Sequence, residues 1–334
     1  MKLTRKISAA ILAVAFAVTS APGASAVTTK SITPDRIFQF APTAKNNAMQ
    51  NFDNGAGTDV YFTQRIGADT LLSRCSRTST SCTQRDSVTL PGYGHGESLE
   101  VFTEGGKTYA WVGSSNAGGT SYFSKDISLI EYIKAPSGSN KASYKRIGTL
   151  TGLASIAPGH SGAGKRSAVA IADGSDRLAI RVQVGDTGSS SYYGVYKLDA
   201  LKKRLMADAD KNLPISQAKD LMVSQFKEPG RPHGSFQGFD IKGVGADSKY
   251  LYVYGGQSGQ APTIYRYLYT NGGNTTHDRT YVMKGAYIGS LEAEGIKVEK
   301  DPTAGGAFRV NVSFNPTKVD DNGKKMFRLY KFAE

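Results

Sequence analysis

Cysteine, histidine and tryptophan are scarce in this 334-residue chain, which holds two, four and one of them respectively. The two sulfurs, Cys75 and Cys82, have no histidine near them in sequence, which argues against a zinc site. The histidines, His95, His160, His233 and His277, are all expected in loops rich in Gly, Asn or Pro, and no serine has a nucleophile-elbow context. A Ser-His-Asp hydrolase therefore has no support. Helical periodicity is nearly absent, and no apolar run beyond Val18 is long enough to cross a bilayer. Charge is plentiful but scattered: 41 Lys and Arg stand against 28 Asp and Glu, a formal net charge of +13, without a long block of one sign. That balance favours anionic partners. The scatter excludes a basic arm, and nucleic acid is not among the partners expected.

The chain begins MKLTRKISAAILAVAFAVTSAPGASA. Lys2, Arg5 and Lys6 form a basic start, the run from Ile7 to Val18 is too short to span, and Ala24-Ser25-Ala26 offers the small residues a signal peptidase needs. Residues 1–26 read as a secretory signal peptide cleaved after Ala26. Residues 27–334 are then one exported domain, secreted as a monomer without a transmembrane segment. Export makes oxidation of the sulfurs the expectation. Cys75 and Cys82 flank a hairpin, DTLLSRCSRTSTSCTQRDSVTL, and a disulfide across its strands is predicted.

What the chain does have is aromatic β-former sequence, with 18 Tyr and 14 Phe, in short alternating runs bounded by Gly, Ser, Asn and Asp. One stretch differs: from Leu198 to Phe226, charges and aliphatics predict one or two short helices inserted into an all-β architecture. The runs also repeat. MQNFDNGAGTDVYFTQR starts at 49, ESLEVFTEGGKTYAWVGSS at 97, SAVAIADGSDRLAIRVQVG at 167, FQGFDIKGVGADSKYLYVYGG at 236 and EGIKVEKDPTAGGAFRVNVSF at 294. Each is strand, polar turn, strand, and each is followed by a third strand. The spacing suits the blades of a five-bladed β-propeller. The last copy ends with three strands, and an unpaired edge is a liability. RIFQF at 36–40 can supply the missing strand and close the ring. Two stacked β-sandwiches are the competing architecture.

Aligned by the two-residue period of a strand, every copy opens with a polar residue followed by apolar ones at alternate positions. Those residues are Gln50, Glu97, Ser167, Gln237 and Glu294, with His95 and Glu292 two positions upstream of the glutamates. Inner strands line the channel of a propeller, so their starts should ring one mouth of it. The long Gly/Ser-rich loops between second and third strands emerge on that same face, where ligand sites on rigid scaffolds tend to lie. Satisfying backbone groups at strand starts is the plainer explanation, and it serves Ser167 and Gln50 best.

Three chemistries suit the ring. Glu97 and Glu294 could be the acid and the base or nucleophile of a glycosidase or lyase. The same carboxylates with Gln237, Asp240 and carbonyls could hold Ca²⁺, although no Asp-rich calcium loop is present. Or the ring could hydrogen-bond a sugar while Tyr122, Tyr192, Tyr193 or Trp111 stacks on it, aromatics at alternate positions being more often core. One motif is set aside. GHSGAGKRS at 159–167 spaces Gly159, Gly164 and Lys165 like a P-loop, but Arg166 replaces the Ser/Thr, and a strand follows where a helix is needed.

GHGESLEV, FQGFDIKGV followed by KYLYVYGG, and LEAEGI followed by FRVNVSF and MFRLYKF resemble the helveticin J-like class III bacteriocins, large exported antibacterial proteins. A looser likeness extends to propeller-like proteins labelled teichoic-acid-associated or phage-baseplate-like. The resemblance covers most of the chain and implies a secreted protein that harms related bacteria at the envelope. It carries no catalytic residues over, and places neither the 198–226 insertion nor the cysteine pair. The combined expectation is a propeller that recognises a glycan or teichoic acid of the Gram-positive envelope. An enzyme working through the paired glutamates, or an adhesion scaffold binding protein, are its rivals.

Overall fold

The structure is a computed structural model, and it describes residues 26–185, 190–244, 248–285, 288–289, 291–303, 305–315 and 323–334. The predicted signal segment before Ala26 lies outside the described residues, as do parts of the loops after Gly185 and Asn315.

Five sheets close a ring. Blade 1 is Met49–Asn54, Asp59–Ile66, Asp69–Arg77 and Cys82–Leu90. Blade 2 is Leu99–Glu104, Lys107–Asn116, Ser124–Ile133 and Ser143–Thr151. Blade 3 is Arg166–Ile171, Leu178–Val184, Ser190–Tyr196 and Met222–Lys227. Blade 4 is Gly238–Val244, Ser248–Gly255, Thr263–Tyr269 and Thr275–Met283. Blade 5 is Glu292–Lys300, Phe308–Asn315 and Phe327–Ala333, completed by Asp35–Phe40 from the start of the chain. That last pairing is the closure expected of RIFQF. It removes the open edge and ties the two ends of the repeat array together.

Why the ring holds is visible in where the apolar residues go. Five buried clusters each fill the gap between two neighbouring blades. Phe38, Phe40, Phe327 and Leu329 of blade 5, for instance, meet Phe52, Val60 and Phe62 of blade 1. Each fully buried Phe or Leu contributes about 1.5–3 kcal/mol of transfer free energy, so each blade depends on both neighbours.

Three features depart from the sequence expectation. The segment from Leu198 to Phe226 is helical only in part: Leu198–Ala207 is an α-helix and Ile215–Leu221 a 3₁₀ helix, but Met222–Lys227 is the fourth strand of blade 3. The α-helix buries Leu201 and Leu205, one turn apart, against blades 2 and 3. Gly148 makes room, since a Cβ there would come within 2.8 Å of Leu205. Second, blades 2 and 4 gain a parallel fifth strand, Asn212–Pro214 and Thr28–Ile32 respectively. Third, His277 lies on the strand Thr275–Met283, not in a loop, and burial pushes its pKa down.

The expected disulfide joins Cys75 to Cys82 across the third and fourth strands of blade 1, Cα to Cα 5.7 Å. Among the described residues no helix is long and apolar enough to cross a membrane.

Candidate ligand-binding face

Each inner strand starts on the face where the loops between second and third strands also emerge. Blade 2 reaches that face through the linker Pro91–Ser98, which contains the GHGE motif. Gly94 and Gly96 both take positive φ, 92° and 86°. A Cβ on Gly94 would come within 2.4 Å of the Tyr122 carbonyl, so no other residue fits. The bracketing glycines lay His95 against Phe123, ring centroids 5.2 Å apart, and its Nδ1 donates to the Ser121 carbonyl at 2.6 Å. Arg65, 3.5 Å from the same nitrogen, is therefore a neighbour and not a donor to it.

Glu97 lies two residues before the first strand of blade 2 and is committed. The Arg166 guanidinium donates to both of its oxygens, Nε to Oε2 at 2.8 Å, and also donates to the Phe236 carbonyl at 2.7 Å. Arg166 sits over the rings of Phe123 and Phe236, 4.2 and 5.0 Å from their centroids. Arg181 covers Phe236 as well, at 3.7 Å, while its Nε donates to Glu228 at 2.6 Å. This fork-to-fork pair between blades 2 and 3 is geometrically strong. It leaves Glu97 poorly suited to act as a free base or nucleophile. Arg166 is the residue that set GHSGAGKRS apart from a P-loop, and 159–165 is indeed a loop between blades.

On the opposite side of the mouth, Gln237 donates to Glu292 at 2.9 Å and Asn315 donates to the other oxygen of Glu292 at 3.3 Å. Glu294 is 5% exposed. Burial first, then the charges of Glu292 and Glu97, push its pKa well up, with Lys325 and Arg166 pulling weakly the other way. Among the described residues no ion pair reaches it. Glu294 therefore keeps its proton to higher pH than an ordinary glutamate. The period-two alignment that put it on the face of Ile296 and Val298 crosses a bulge between Ala293 and Ile296, and that for Gln50 crosses one between Met49 and Asn51. Each bulge inserts a residue and re-aims the side chain there.

Gln50 lines a cavity of 250 Å³ on this face, with Asn46, Asn47, Ala48, Arg65, His95 and Lys325. Among the described residues no carboxylate lines it. Ser167 plays the plainer part, donating to the Lys125 carbonyl at 2.9 Å. Of the proposed stacking residues, Trp111 and Tyr193 are core, and Tyr192 packs at the core's edge. Tyr122 is on the face, its φ at 52° and its ring 5.5 Å from the Arg65 guanidinium.

Asp240 is not at the mouth. It belongs to a second constellation that the sequence reading missed. One residue past the apolar anchor of each inner strand come Asp53, Glu100, Ala170, Asp240 and Lys297. All but Ala170 converge in the interior: Lys297 Nζ lies 2.5 Å from Glu100, 3.8 Å from Asp53 and 3.9 Å from Asp240. Asp53 also accepts the Val101 N–H at 2.5 Å, and Asp240 the Val298 N–H at 2.6 Å, each bridging to the next blade. Burial is the largest influence on all three carboxyls, raising Asp53 to about 6, Asp240 to about 7 and Glu100 well above its usual range, against the pull of Lys297. The paired Phe-Asp of MQNFDNG and FQGFDIKGV was the available signal. The ammonium of Lys297 takes the central place among these carboxylates. Among the described residues no cluster of three His, Cys, Asp or Glu is spaced to hold a metal, and Glu97, Glu294, Gln237 and Asp240 do not form the suggested Ca²⁺ set.

Fold and face together define a class: a five-bladed propeller with polar residues and loops gathered on one side. A sequence profile of the bacteriocin helveticin-J family matches residues 48–282, and the chain belongs to that family. A comparison with curated proteins finds no match. Among solved structures, the tail fiber of Staphylococcus aureus phage P68 superposes with a TM-score of 0.59 at 16% identity, over 90% of this chain and 52% of the fiber. The chain thus spans about half the length of that protein, and the likeness concerns the fold alone. An alpha-L-arabinofuranosidase from Lactobacillus brevis aligns over 89% of this chain and 92% of the enzyme, at 10% identity and a TM-score of 0.46, too low to carry an argument.

Proposed function

We propose that this protein is an exported bacteriocin whose loop-bearing face recognises an anionic glycan polymer of the Gram-positive envelope, such as teichoic acid. The observation that carries the reading is the cavity lined by Arg65, Lys325, His95 and three amide side chains, with no carboxylate in its wall among the described residues. Cations and amide donors around one hollow suit phosphate and sugar hydroxyls together. The excess of basic residues adds long-range attraction to such a polymer, which salt would screen. Under this reading residues 27–334 are the mature unit, working as a monomer once residues 1–26 have been removed. Val27 is then the expected N-terminal residue of the secreted protein.

Recognition is favoured over turnover because Glu97, one of the two carboxylates a glycosidase would use here, is locked to Arg166. The test is incubation of the mature protein with isolated Gram-positive walls, followed by assay of pellet and supernatant. Bound protein without released sugar is the expected result. Release of sugar that Glu97→Gln abolishes would instead make the protein a glycosidase or lyase.

A further inference from the structure

We infer that a second saccharide-binding cavity lies on blade 2, beneath the linker that arrives from blade 1. The hollow measures 520 Å³ and opens where the linker Pro91–Tyr93 passes over the strand ends of blade 2. Its wall carries a row of hydroxyls. Ser128 donates to Ser114 at 2.8 Å and shares a hydrogen bond of 2.8 Å with Thr149, its cross-strand partner. All three are buried, on a sheet whose neighbouring positions are apolar. A run of hydroxyls is a costly filling for a β-sheet that only has to pack.

The row ends in a fixed cation. Nη1 of Arg146 donates to Thr149 at 3.0 Å, to Asn212 Oδ1 at 2.9 Å and to the Lys211 carbonyl at 3.1 Å. Asn212 belongs to the extra strand that joins blade 2 from the helical insertion, so the insertion completes this wall. Asp126 stands in the same wall, half-buried, its pKa raised by burial. The fourth element is Tyr93, 7% exposed and lining the hollow. Its hydroxyl lies near Ser128 without a hydrogen bond of ordinary geometry. A buried donor without a partner calls for a water or a ligand atom to complete it.

Hydroxyls that both give and accept, with one carboxyl and one guanidinium donor, match the adjacent hydroxyls of a sugar or polyol. One Arg balanced by one Asp does not make an anion site, and an apolar ligand would leave the polar groups of the wall without partners. The linker also couples the two hollows. Tyr93 lines this one, His95 lines the cationic one, and Glu97 fixes the end of the linker to Arg166. A polymer alternating charged and polyol units could contact both at once, which would raise its apparent affinity without new contacts. The saccharide cavity itself does not depend on the envelope reading.

The test uses the full oxidised chain and ligand-observed NMR with ribitol and D-glucose as probes. At least one probe should bind, and Tyr93→Phe and Thr149→Val should each weaken it roughly tenfold. Because the Tyr93 hydroxyl has no ordinary partner, Tyr93→Phe should leave the Tm unchanged or slightly higher, whereas a merely structural hydroxyl would lower it. Lys284→Ala, at an exposed position that lines neither hollow, should leave probe binding at the level of the unsubstituted protein. Absence of binding at roughly 10 mM probe, or binding that survives both substitutions, would overturn the inference. Ribitol binding by a protein that ignores cell walls would sink the envelope reading and leave this one standing.

Discussion

The interior charge cluster and the cationic hollow on the loop face use similar residues to opposite ends. Lys297 is 6% exposed and meets three carboxylates, two of which also accept a backbone N–H from the next blade. Arg65 and Lys325 face a cavity with no carboxylate in its wall among the described residues. Lys297 also lines a cavity, one of 480 Å³, but does so beside Asp53 and Glu100; a charge matched by carboxylates pins blades together, whereas one facing a hollow without them is available to a partner. Burial and pairing, not residue type, separate the two roles.

Breaking the interior cluster should have the largest effect. Lys297→Met leaves three carboxylates facing one another, and removal of one partner from a buried ion network costs about 3–5 kcal/mol. Urea denaturation at neutral pH measures it, and the loss should shrink in mild acid, where the carboxyls are protonated. Next comes the pair at the mouth. Glu97→Gln leaves Arg166 half-satisfied and should cost about 1–3 kcal/mol. Glu294→Gln puts a neutral isostere in place of a buried carboxyl whose pKa is raised and which no ion pair reaches among the described residues, and should change the urea midpoint much less.

The cluster also predicts a pH dependence with an unusual sign. Burial raises the carboxyls of Asp53 to about 6 and of Asp240 to about 7, above the ordinary aspartate range. The folded state therefore binds more protons between about pH 4 and 7, and stability from these groups falls as pH rises through that window. The unsubstituted protein should be more resistant to urea at pH 5 than at pH 7.5, and Asp240→Asn should flatten the difference. The smallest stability effect belongs to the hollow. Arg65→Ala with Lys325→Ala should shift stability by no more than about 0.5 kcal/mol per site, while wall binding is lost.

The blades were legible in the sequence because each strand carries its own β-former pattern and turn, repeated five times. RIFQF could be placed because an open edge needs a partner, and the cysteines because their hairpin was local. Asn212–Pro214 and Thr28–Ile32 were not legible. They are short strands that add to an edge far away in sequence, and nothing in their own composition announces it. Met222–Lys227 was absorbed into the neighbouring helices because its polar and apolar residues have no clear period of their own.

The site divides in the same way. Glu97, Glu292, Glu294 and Gln237 do gather at one mouth, since strand starts in a repeat must. Asp240 does not, because it follows the apolar anchor Phe239 and lies on the alternate position, with Asp53, Glu100 and Lys297. The bulges at Gln50 and Glu294 break the simple period, and only backbone pairing reveals them. Arg166 was hidden because it lay in a motif judged by what it lacked for phosphate binding.

The most direct test of the central claim is co-sedimentation with isolated Gram-positive walls, comparing the mature protein with the Arg65→Ala/Lys325→Ala variant at low and high salt. The account predicts that the unsubstituted protein pellets at low salt, is released as salt rises, and that the folded double variant stays in solution throughout. A double variant that pellets like its parent, at either salt, would contradict it.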